Sequence, residues 1–478
     1  MLLSTLIPQL GVVSIDGPTD RTIERVIYDS RDARPADVFV AIRGERVDAR
    51  QFVPDLEVAA VVADGPVSAR DGVTVIIVPN ARVALAAIAS ALEGHPSHTM
   101  PVVGITGTNG KTTVTWMLES IIKAAGETSG VIGTTGHRIA GESIEATHTT
   151  PEAPVMQALL RRMKDAGCAA GLMEVSSIGI VMHRADAIPF RVAVFTSFSR
   201  DHLDFHSSME SYLAAKAKLF EELLDPDGVA VLNADEPACE TINPGTRTCL
   251  TYGLGPSAMI RAVDLNSSVT GTHFAVVTPS GTHEVNLHLM GTHNVSNALA
   301  AFAAAHALGI DSEAIVSGLN QLESIPGRLE LVPNTRGLHV LVDYAHTPEA
   351  LRSVLRFLRP LTRGRILCVF GCGGDRDPGK RPDMGAAADE GSDWVFVTSD
   401  NPRHEDPMSI IDSIVAGIKG PFTVDVDRRS AIEAAIQTAK SGDIILIAGK
   451  GHETTQVMGN TVTEFDDRTV AAQILESA

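Results

Sequence analysis

At 478 residues the chain has room for roughly two to four domains, and its 44% hydrophobic and 20% charged residues are ordinary for a soluble globular protein. A formal charge of −19 argues against a general nucleic-acid binder, which needs a basic footprint, although a local nest of N–H groups, a lysine or a metal can still hold phosphate. No apolar run approaches the ~20 residues of a membrane span, so no membrane association is expected.

Residues 1–95 read as a small mixed α/β block. DVFVAIRG and GVTVIIVPN are strand-like, ARVALAAIASAL is a closing helix, and EGHPSHTMP reads as a linker. The N-terminal MLLSTLIPQLGVVSIDG has no basic leader region and no clear cleavage site. The five cysteines (Cys168, Cys239, Cys249, Cys368, Cys372) are odd in number and none are paired at zinc-type spacing. Reduced thiols in a cytoplasmic protein are the expectation.

Residues 96–330 open with a β-branched strand, PVVGITG. KTTVTWMLESIIKAAG follows as a helix, with Val114, Met117, Leu118, Ile121 and Ile122 at helical spacing and Gly126 as its stop. GLMEV, RVAVFTS and DGVAVLN are further strands with helical segments between them, the alternation of a parallel α/β sheet. Residues 258–290 read as β-hairpins and NVSNALAAFAAAHALG as a buried helix. Residues 331–478 repeat the alternation: LHVLVD, RILCVFG, DWVFVTS and DIILIAG each run into a polar loop, DYAHTP, GCGGDRD, SDNPRHEDP and GKGHE. Ligands in open α/β sheets gather at such strand ends.

The stretch Gly104–Thr113, GITGTNGKTT, sits where a phosphate loop must sit, between a strand and a helix N-terminus. Ile105 stands where the common Walker spacing has glycine, so the loop is of a shorter kind. Lys111 would reach the terminal phosphates and the Thr112 hydroxyl a Mg²⁺ ion. Glu174 and His202 follow strands; a hard cation takes oxygen donors, which suits the glutamate better than the histidine. Taken singly, Glu174 reads more readily as a cap or ion pair, His202 as a packing histidine and Lys216 as a surface lysine.

GTNGKTT resembles the nucleotide loop of the Mur ligases, ATP-dependent amide-forming enzymes of peptidoglycan precursor synthesis. IYDSRDARPADVFVAIRG, MEVSS, SRDHLDFH, AAKAKLF, GTHNVSNALAA, IPGRLE, VDYAHTP, GCGGDRD, SDNPR and GKGHE fall in the family's order, from Asp29 to Glu453. The resemblance implies three α/β domains: a small N-terminal domain for a UDP-sugar (1–95), a central parallel-sheet P-loop ATPase-like domain (96–330), and a C-terminal Rossmann-like domain for the amino acid (331–478). It implies joining of meso-2,6-diaminopimelate to UDP-N-acetylmuramoyl-L-alanyl-D-glutamate through an acyl phosphate.

By the same resemblance Gly107, Thr108, Asn109, Gly110, Lys111, Thr112, Thr113, Asn294, Asn297, Arg328 and Asp343 handle ATP. Thr112, Glu174, His202 and Lys216 hold two Mg²⁺ ions, with Lys216, rather than Lys218, as N6-carboxylysine. Lys111, Glu174, His202 and Lys216 form the catalytic set, and His346 also matches a family position. Ser30, Thr149, Thr150, Ser176 and Arg184 match the sugar-nucleotide contacts. Arg376, Asp400, Asn401, Pro402, Arg403, Gly449 and Glu453 match the amino-acid contacts.

An Asx–Pro turn explains Asn401-Pro402 but says nothing of Arg403. A guanidinium pairs bidentately with a carboxylate, and diaminopimelate differs from lysine by one carboxylate. Ile178 stands where many relatives carry histidine, GIVMHRAD departs from the pattern before Arg184, and VDARQF departs near Asp48. The rivals are a lysine-adding or folylpolyglutamate-like ligase, a non-catalytic nucleotide-binding partner protein, and a motor or signalling NTPase. A monomer is expected, with no nucleic-acid or membrane partner.

Overall fold

The computed structural model describes residues 1–44, 47–146, 148–203, 205–268 and 270–477. It divides into two compact units. One comprises Met1–Leu265, Phe274–Val285 and His293–Gln321; the other comprises Asn266–His273, Asn286–Thr292 and Leu322–Ala478.

The first unit begins with strands β1 (Ser14–Asp16), β2 (Arg25–Ile27), β3 (Asp37–Ala41), β4 (Ala60–Ala63) and β5 (Thr74–Ile77), ordered β1-β5-β4-β3-β2. All neighbours are parallel except β1 and β5. The helix Ala81–Leu92 is started by Asn80, whose side chain accepts from the Arg82 and Val83 amides. Its Leu85 and Ile88 share a core with Val38, Val40 and Val62. The segment read as a linker is a packed connection: His95 is left-handed, Pro96–His98 form a short turn, and Pro96, Ser97 and Met100 are buried.

The larger sheet is built from β6 (Val102–Thr106), β7 (Ser129–Ile132), β8 (His137–Ile139), β9 (Glu142–Ile144), β10 (Ala170–Glu174), β11 (Phe190–Phe195), β12 (Leu224–Asn233), β13 (Thr248–Gly253), β14 (Ile260–Ser268), β15 (Gly271–Thr278) and β16 (Gly281–Leu287). Its order is β16-β15-β14-β13-β12-β11-β6-β10-β7-β8-β9, with parallel pairing from β7 through β10, β6, β11 and β12 to β13. Helices cover both faces of the parallel part, which is why its strands are near-continuous apolar runs. Ala153–Asp165 and Met209–Glu221 bury Met156, Leu160, Leu219 and Phe220 against Met173, Phe190 and Phe195. Gly104 belongs to this packing: a Cβ there would lie 2.7 Å from the Phe190 ring. It is a strand residue beneath a neighbouring ring and no part of the turn itself.

In the second unit β17 (Glu330–Val332), β18 (His339–Asp343), β19 (Ile366–Phe370), β20 (Trp394–Val397), β21 (Phe422–Val424) and β22 (Ile444–Ala448) are ordered β17-β18-β22-β19-β20-β21. Only β17 is antiparallel. Side-chain alternation feeds two cores. Cys368, Phe370 and Leu446 face the helices Pro348–Leu358, Arg381–Gly391 and Pro407–Val415. Leu367, Val369 and Ile445 face Arg428–Thr438 and Asp467–Ser477. Burial pushes the Cys368 thiol up to about 12, consistent with its place as a core residue. A hairpin, β23 (Thr455–Met458) with β24 (Thr461–Glu464), follows β22. Among the described residues no helix is long and apolar enough to cross a membrane.

Candidate active site

Strand β6 delivers the chain into a four-residue turn, Gly107–Gly110, and the helix Lys111–Ala124 starts at once. Gly107 and Gly110 have φ of 141° and 91°, conformations that suit glycine. A Cβ on Gly110 would lie 2.4 Å from Asn297 Oδ1, so the turn has no room for another residue type. Asn297 in turn donates to Asn294 Oδ1 at 3.1 Å. The helix Thr292–Ala307 therefore brings both predicted asparagines to the turn. Thr108 N donates to Ser197 O at 2.7 Å and Asn109 N to Ser197 Oγ at 3.0 Å. Thr113 is buried in the first helical turn.

Lys111 Nζ folds back on this turn, donating to the Gly107 and Thr108 carbonyls at 2.9 Å each. Lys216 comes from the helix Met209–Glu221 and donates to the same Gly107 carbonyl at 2.9 Å. It is 1% exposed, so the surface-lysine reading fails. Lys218 is only half-buried. Burial, reinforced by the Lys111 charge, holds the Lys216 amine well below the usual lysine range. Its ammonium lies 4.3 Å from the Tyr212 ring centre, and the Tyr212 hydroxyl is 3.2 Å from Thr108 Oγ1.

Glu174, at the end of β10, is 1% exposed. Its Oε2 accepts from Thr112 Oγ1 and Thr134 Oγ1, and its Oε1 from Thr134 N, all at 3.0 Å. Thr134 Oγ1 is 3.0 Å from Thr149 Oγ1. Thr150 Oγ1 donates to Glu174 O at 2.9 Å and stands 3.1 Å from Ser176 Oγ. Arg184 donates to Thr150 O at 2.9 Å and to Glu152 at 3.0 Å. Glu152 and Arg184 both act on the Tyr28 hydroxyl, whose pKa is raised mainly by burial. Ser30, half-buried, begins a short turn two residues beyond Tyr28. Four of the five predicted sugar-nucleotide residues thus form one network continuous with Thr112 and Glu174; among the described residues no hydrogen bond joins Ser30 to it.

His202 is 44% exposed and left-handed at φ 52°, with Nε2 3.5 Å from Asp201. Its ring meets the edge of Tyr212 at 6.2 Å, which links it to Lys216 through that ring. The buried Thr112 hydroxyl and Glu174 carboxylate offer the hard oxygen donors that Mg²⁺ prefers. Among the described residues no three His, Cys, Asp or Glu side chains gather into a metal cluster. Mg²⁺ fits such a sparse set because it keeps waters and takes substrate phosphate oxygens.

In the second unit Asp343, at the end of β18, accepts from the Leu329 and Ala345 amides at 2.8 Å. Burial pushes its carboxyl up, with Arg328 pulling the other way. The Arg328 guanidinium lies 5.1 Å from the Tyr344 ring centre, and its buried Nε has no hydrogen-bond partner among the described residues. The His346 ring packs at a tilt against Tyr344, their centres 4.6 Å apart. Burial holds His452, 5.1 Å from Tyr344, down at about 4.

Strands β19, β20 and β22 end in three loops that meet. Gly374 N donates to Asn401 O at 2.9 Å, and Arg403 Nη1 to Gly374 O at 2.7 Å. Gly374 must be glycine, since a Cβ would strike Pro402 O. Arg403 is left-handed at φ 52°, held by bonds from its N to Val457 O and to its O from Gly459 N. Asn401 Nδ2 donates to Glu453 Oε2 at 2.8 Å. A Cβ on Gly449 (φ 112°) would be 2.8 Å from Asp400 Oδ2. Asp400 is pushed up by burial, against the pull of Arg428 and Lys450. Arg376 is exposed on the same loop as Gly374.

Sequence reasoning missed Thr134, Tyr212 and Lys450. Thr134 follows β7 in GTTG, a strand-end signal; Lys450 lies inside GKGHE; Tyr212 carries no signal but its helix.

Residues 105–305 match the Mur ligase middle domain, and residues 327–451 match the Mur ligase, glutamate ligase domain. The UDP-N-acetylmuramoyl-L-alanyl-D-glutamate--2,6-diaminopimelate ligase of Geobacter sulfurreducens is 41% identical, covering 100% of this chain and 99% of the relative. A solved structure of a protein of that name is 31% identical with a TM-score of 0.74, covering 100% of this chain and 99% of the other. The fold is also that of a MurF ligase from Thermotoga maritima in complex with ADP (TM-score 0.64, 19% identity, 95% of this chain and 97% of the other). With relatives of this identity along its whole length, the chain belongs to the Mur ligase family.

Proposed function

We propose that the protein is an ATP-dependent amide ligase that joins meso-2,6-diaminopimelate to UDP-N-acetylmuramoyl-L-alanyl-D-glutamate, acting in the cytoplasm as a monomer. Residues 1–95 would take the sugar nucleotide, 96–330 ATP and 331–478 the amino acid. The observation that carries the chemistry is the meeting of Lys111 and Lys216 at the Gly107 carbonyl, with the Thr112–Glu174 pair starting at the residue after Lys111. Relatives of the diaminopimelate-adding type support the substrate assignment, as does Arg403.

The γ-carboxylate oxygen of the D-glutamyl residue attacks the terminal phosphorus, ADP leaves, and an acyl phosphate results. The neutral amine of diaminopimelate attacks the acyl carbon, and phosphate leaves. The amine's proton passes to water, to phosphate or to His346. Lys111 turns from the Gly107 and Thr108 carbonyls to the phosphates. Backbone N–H groups of Gly110–Thr113 cradle them at the helix N-terminus, those of Thr108 and Asn109 being bonded to Ser197, and Asn294 and Asn297 brace the turn. By the family resemblance Arg328 and Asp343 would also take nucleotide oxygens.

Mg²⁺, bound by Thr112, Glu174, His202 and carboxylated Lys216, would supply charge screening between the two anions. A buried neutral amine is the form that reacts with CO₂, releasing one proton and leaving an anionic carbamate on Lys216. Arg403 and Arg376 receive carboxylate, and Glu453 ammonium, of the amino acid.

The test is mass-spectrometric detection of the extended nucleotide, offering diaminopimelate and lysine separately. Extension with diaminopimelate alone is expected. Preferential extension with lysine overturns the assignment of the amino acid, and no extension with either overturns the ligase.

A further inference from the structure

Beneath the Asp400–Arg403 turn lies a lysine that the proposed mechanism does not use. Lys450 immediately follows Gly449, and its side chain is wholly buried. A buried ammonium must find acceptors. Lys450 has three: Thr455 O at 2.6 Å, Asn401 Oδ1 at 3.3 Å and Glu453 Oε2 at 3.3 Å. Glu453 and Thr455 follow it in the same segment, and Asn401 comes from the Asp400–Arg403 turn.

Asn401 Oδ1 also accepts from Val457 N at 3.0 Å. Arg403 N donates to the carbonyl of that same Val457. Thr455 begins β23, the strand on which Arg403 rests. One ammonium thus anchors the start of β23, the Asn401 side chain and the Glu453 carboxylate together. The Arg403 backbone needs this support. A non-glycine residue at φ 52° occupies a disfavoured region, and it persists only where its surroundings over-determine it. Below, Arg428 is fully buried, paired with Asp467 at 2.7 Å and donating to Ser399 O and Ala448 O. The floor under Lys450 is therefore fixed.

We infer that Lys450 is a positioning residue for amino-acid selection: it locks Asn401, Glu453 and β23 in one arrangement and so fixes the pose from which Arg403 reads the distal carboxylate. The inference rests on the amino-acid assignment proposed above. It differs from a purely structural role in what it leaves intact, because the Lys111–Glu174 region belongs to the other unit and contains no Lys450 contact among the bonds described.

The test is steady-state kinetics of Lys450→Met, which keeps length and removes charge and donors. The expected result is a KM for diaminopimelate raised ~10–100-fold, about the worth of one charge-assisted hydrogen bond. KM for ATP and for the sugar nucleotide should stay within about twofold. The preference for diaminopimelate over lysine should fall by a similar factor of ~10–100. An unchanged diaminopimelate KM and preference overturn the inference.

If the methionine variant loses all three substrates alike, Lys450→Ala assayed with added propylammonium decides. Selective recovery of diaminopimelate KM supports positioning by the ammonium; recovery of everything or of nothing overturns it. The parent enzyme, run alongside, separates the two levels. A parent that extends the nucleotide with no amino acid refutes the proposed function, whereas an active parent with an indifferent Lys450→Met refutes only the role of Lys450.

Discussion

Arg403 offers two perturbations that differ only in backbone. Its Nη1 already bonds Gly374 O, leaving the other N–H groups of the five-donor fork for a ligand. Arg403→Ala removes a bidentate pair to the distal carboxylate of diaminopimelate. At about 1.5–3 kcal/mol for each hydrogen bond to a charged group, the two bonds of the pair correspond to a ~10²–10⁴-fold fall in kcat/KM with diaminopimelate. Lysine has no such carboxylate, so its rate should stay put or rise.

Both Arg403→Ala and Arg403→Gly lose the Gly374 bond, at about 1 kcal/mol. Alanine keeps the left-handed strain of φ 52°, and glycine relieves about 1 kcal/mol of it. The two variants should therefore be equally poor with diaminopimelate, while glycine unfolds at the higher urea concentration. Phosphate release with each amino acid, beside urea denaturation, reads both. If Arg403→Ala used diaminopimelate as well as the parent, the selectivity assignment would fall. If alanine were as stable as glycine, the strain argument would fall.

Lys216→Met should abolish ligation without lowering thermal stability. Burial beside Lys111 disfavours a charge on Lys216, so methionine of similar length gives up one hydrogen bond and the Tyr212 contact but also removes a buried amine that is costly to keep dry. These changes offset, and a clear drop in melting temperature in CO₂-free buffer would contradict this. Gly110→Ala places a Cβ 2.4 Å from Asn297 Oδ1 at φ 91°; nucleotide protection against thermal unfolding should vanish, and retained protection would refute the close fit. His452 is held at about 4, below its ordinary 6.5, chiefly by burial. A depressed pKa means its contribution is complete above pH 6.5 and lost as pH falls through about 4. His452→Gln should accordingly flatten the fall in melting temperature between pH 6.5 and 4, and an unchanged slope would contradict this.

Much of the site is visible in sequence because local chemistry fixes it. A strand, two positive-φ glycines and Lys111-Thr112 at a helix start form a phosphate turn from neighbouring residues alone, and the strand-end loops of the last block collect for a topological reason. Lys216 illustrates the opposite case. Its spacing on the helix suits a surface lysine, and only tertiary packing against Gly107 and Tyr212 buries it. Lys450 escaped for a related reason: Glu453 and Thr455 follow it within five residues, but Asn401 reaches it only through the fold. EGHPSHTMP reads as a linker from its prolines and polar residues, yet Pro96, Ser97 and Met100 are buried where the helix Ala81–Leu92 hands the chain to β6.

The central claim is that a carboxylate oxygen of the sugar-nucleotide substrate is phosphorylated by ATP before the amine attacks. Supplying that substrate with ¹⁸O in the D-glutamyl γ-carboxylate tests it directly. One labelled oxygen should appear in each inorganic phosphate released with diaminopimelate. Phosphate carrying no label while the peptide bond still forms would contradict it.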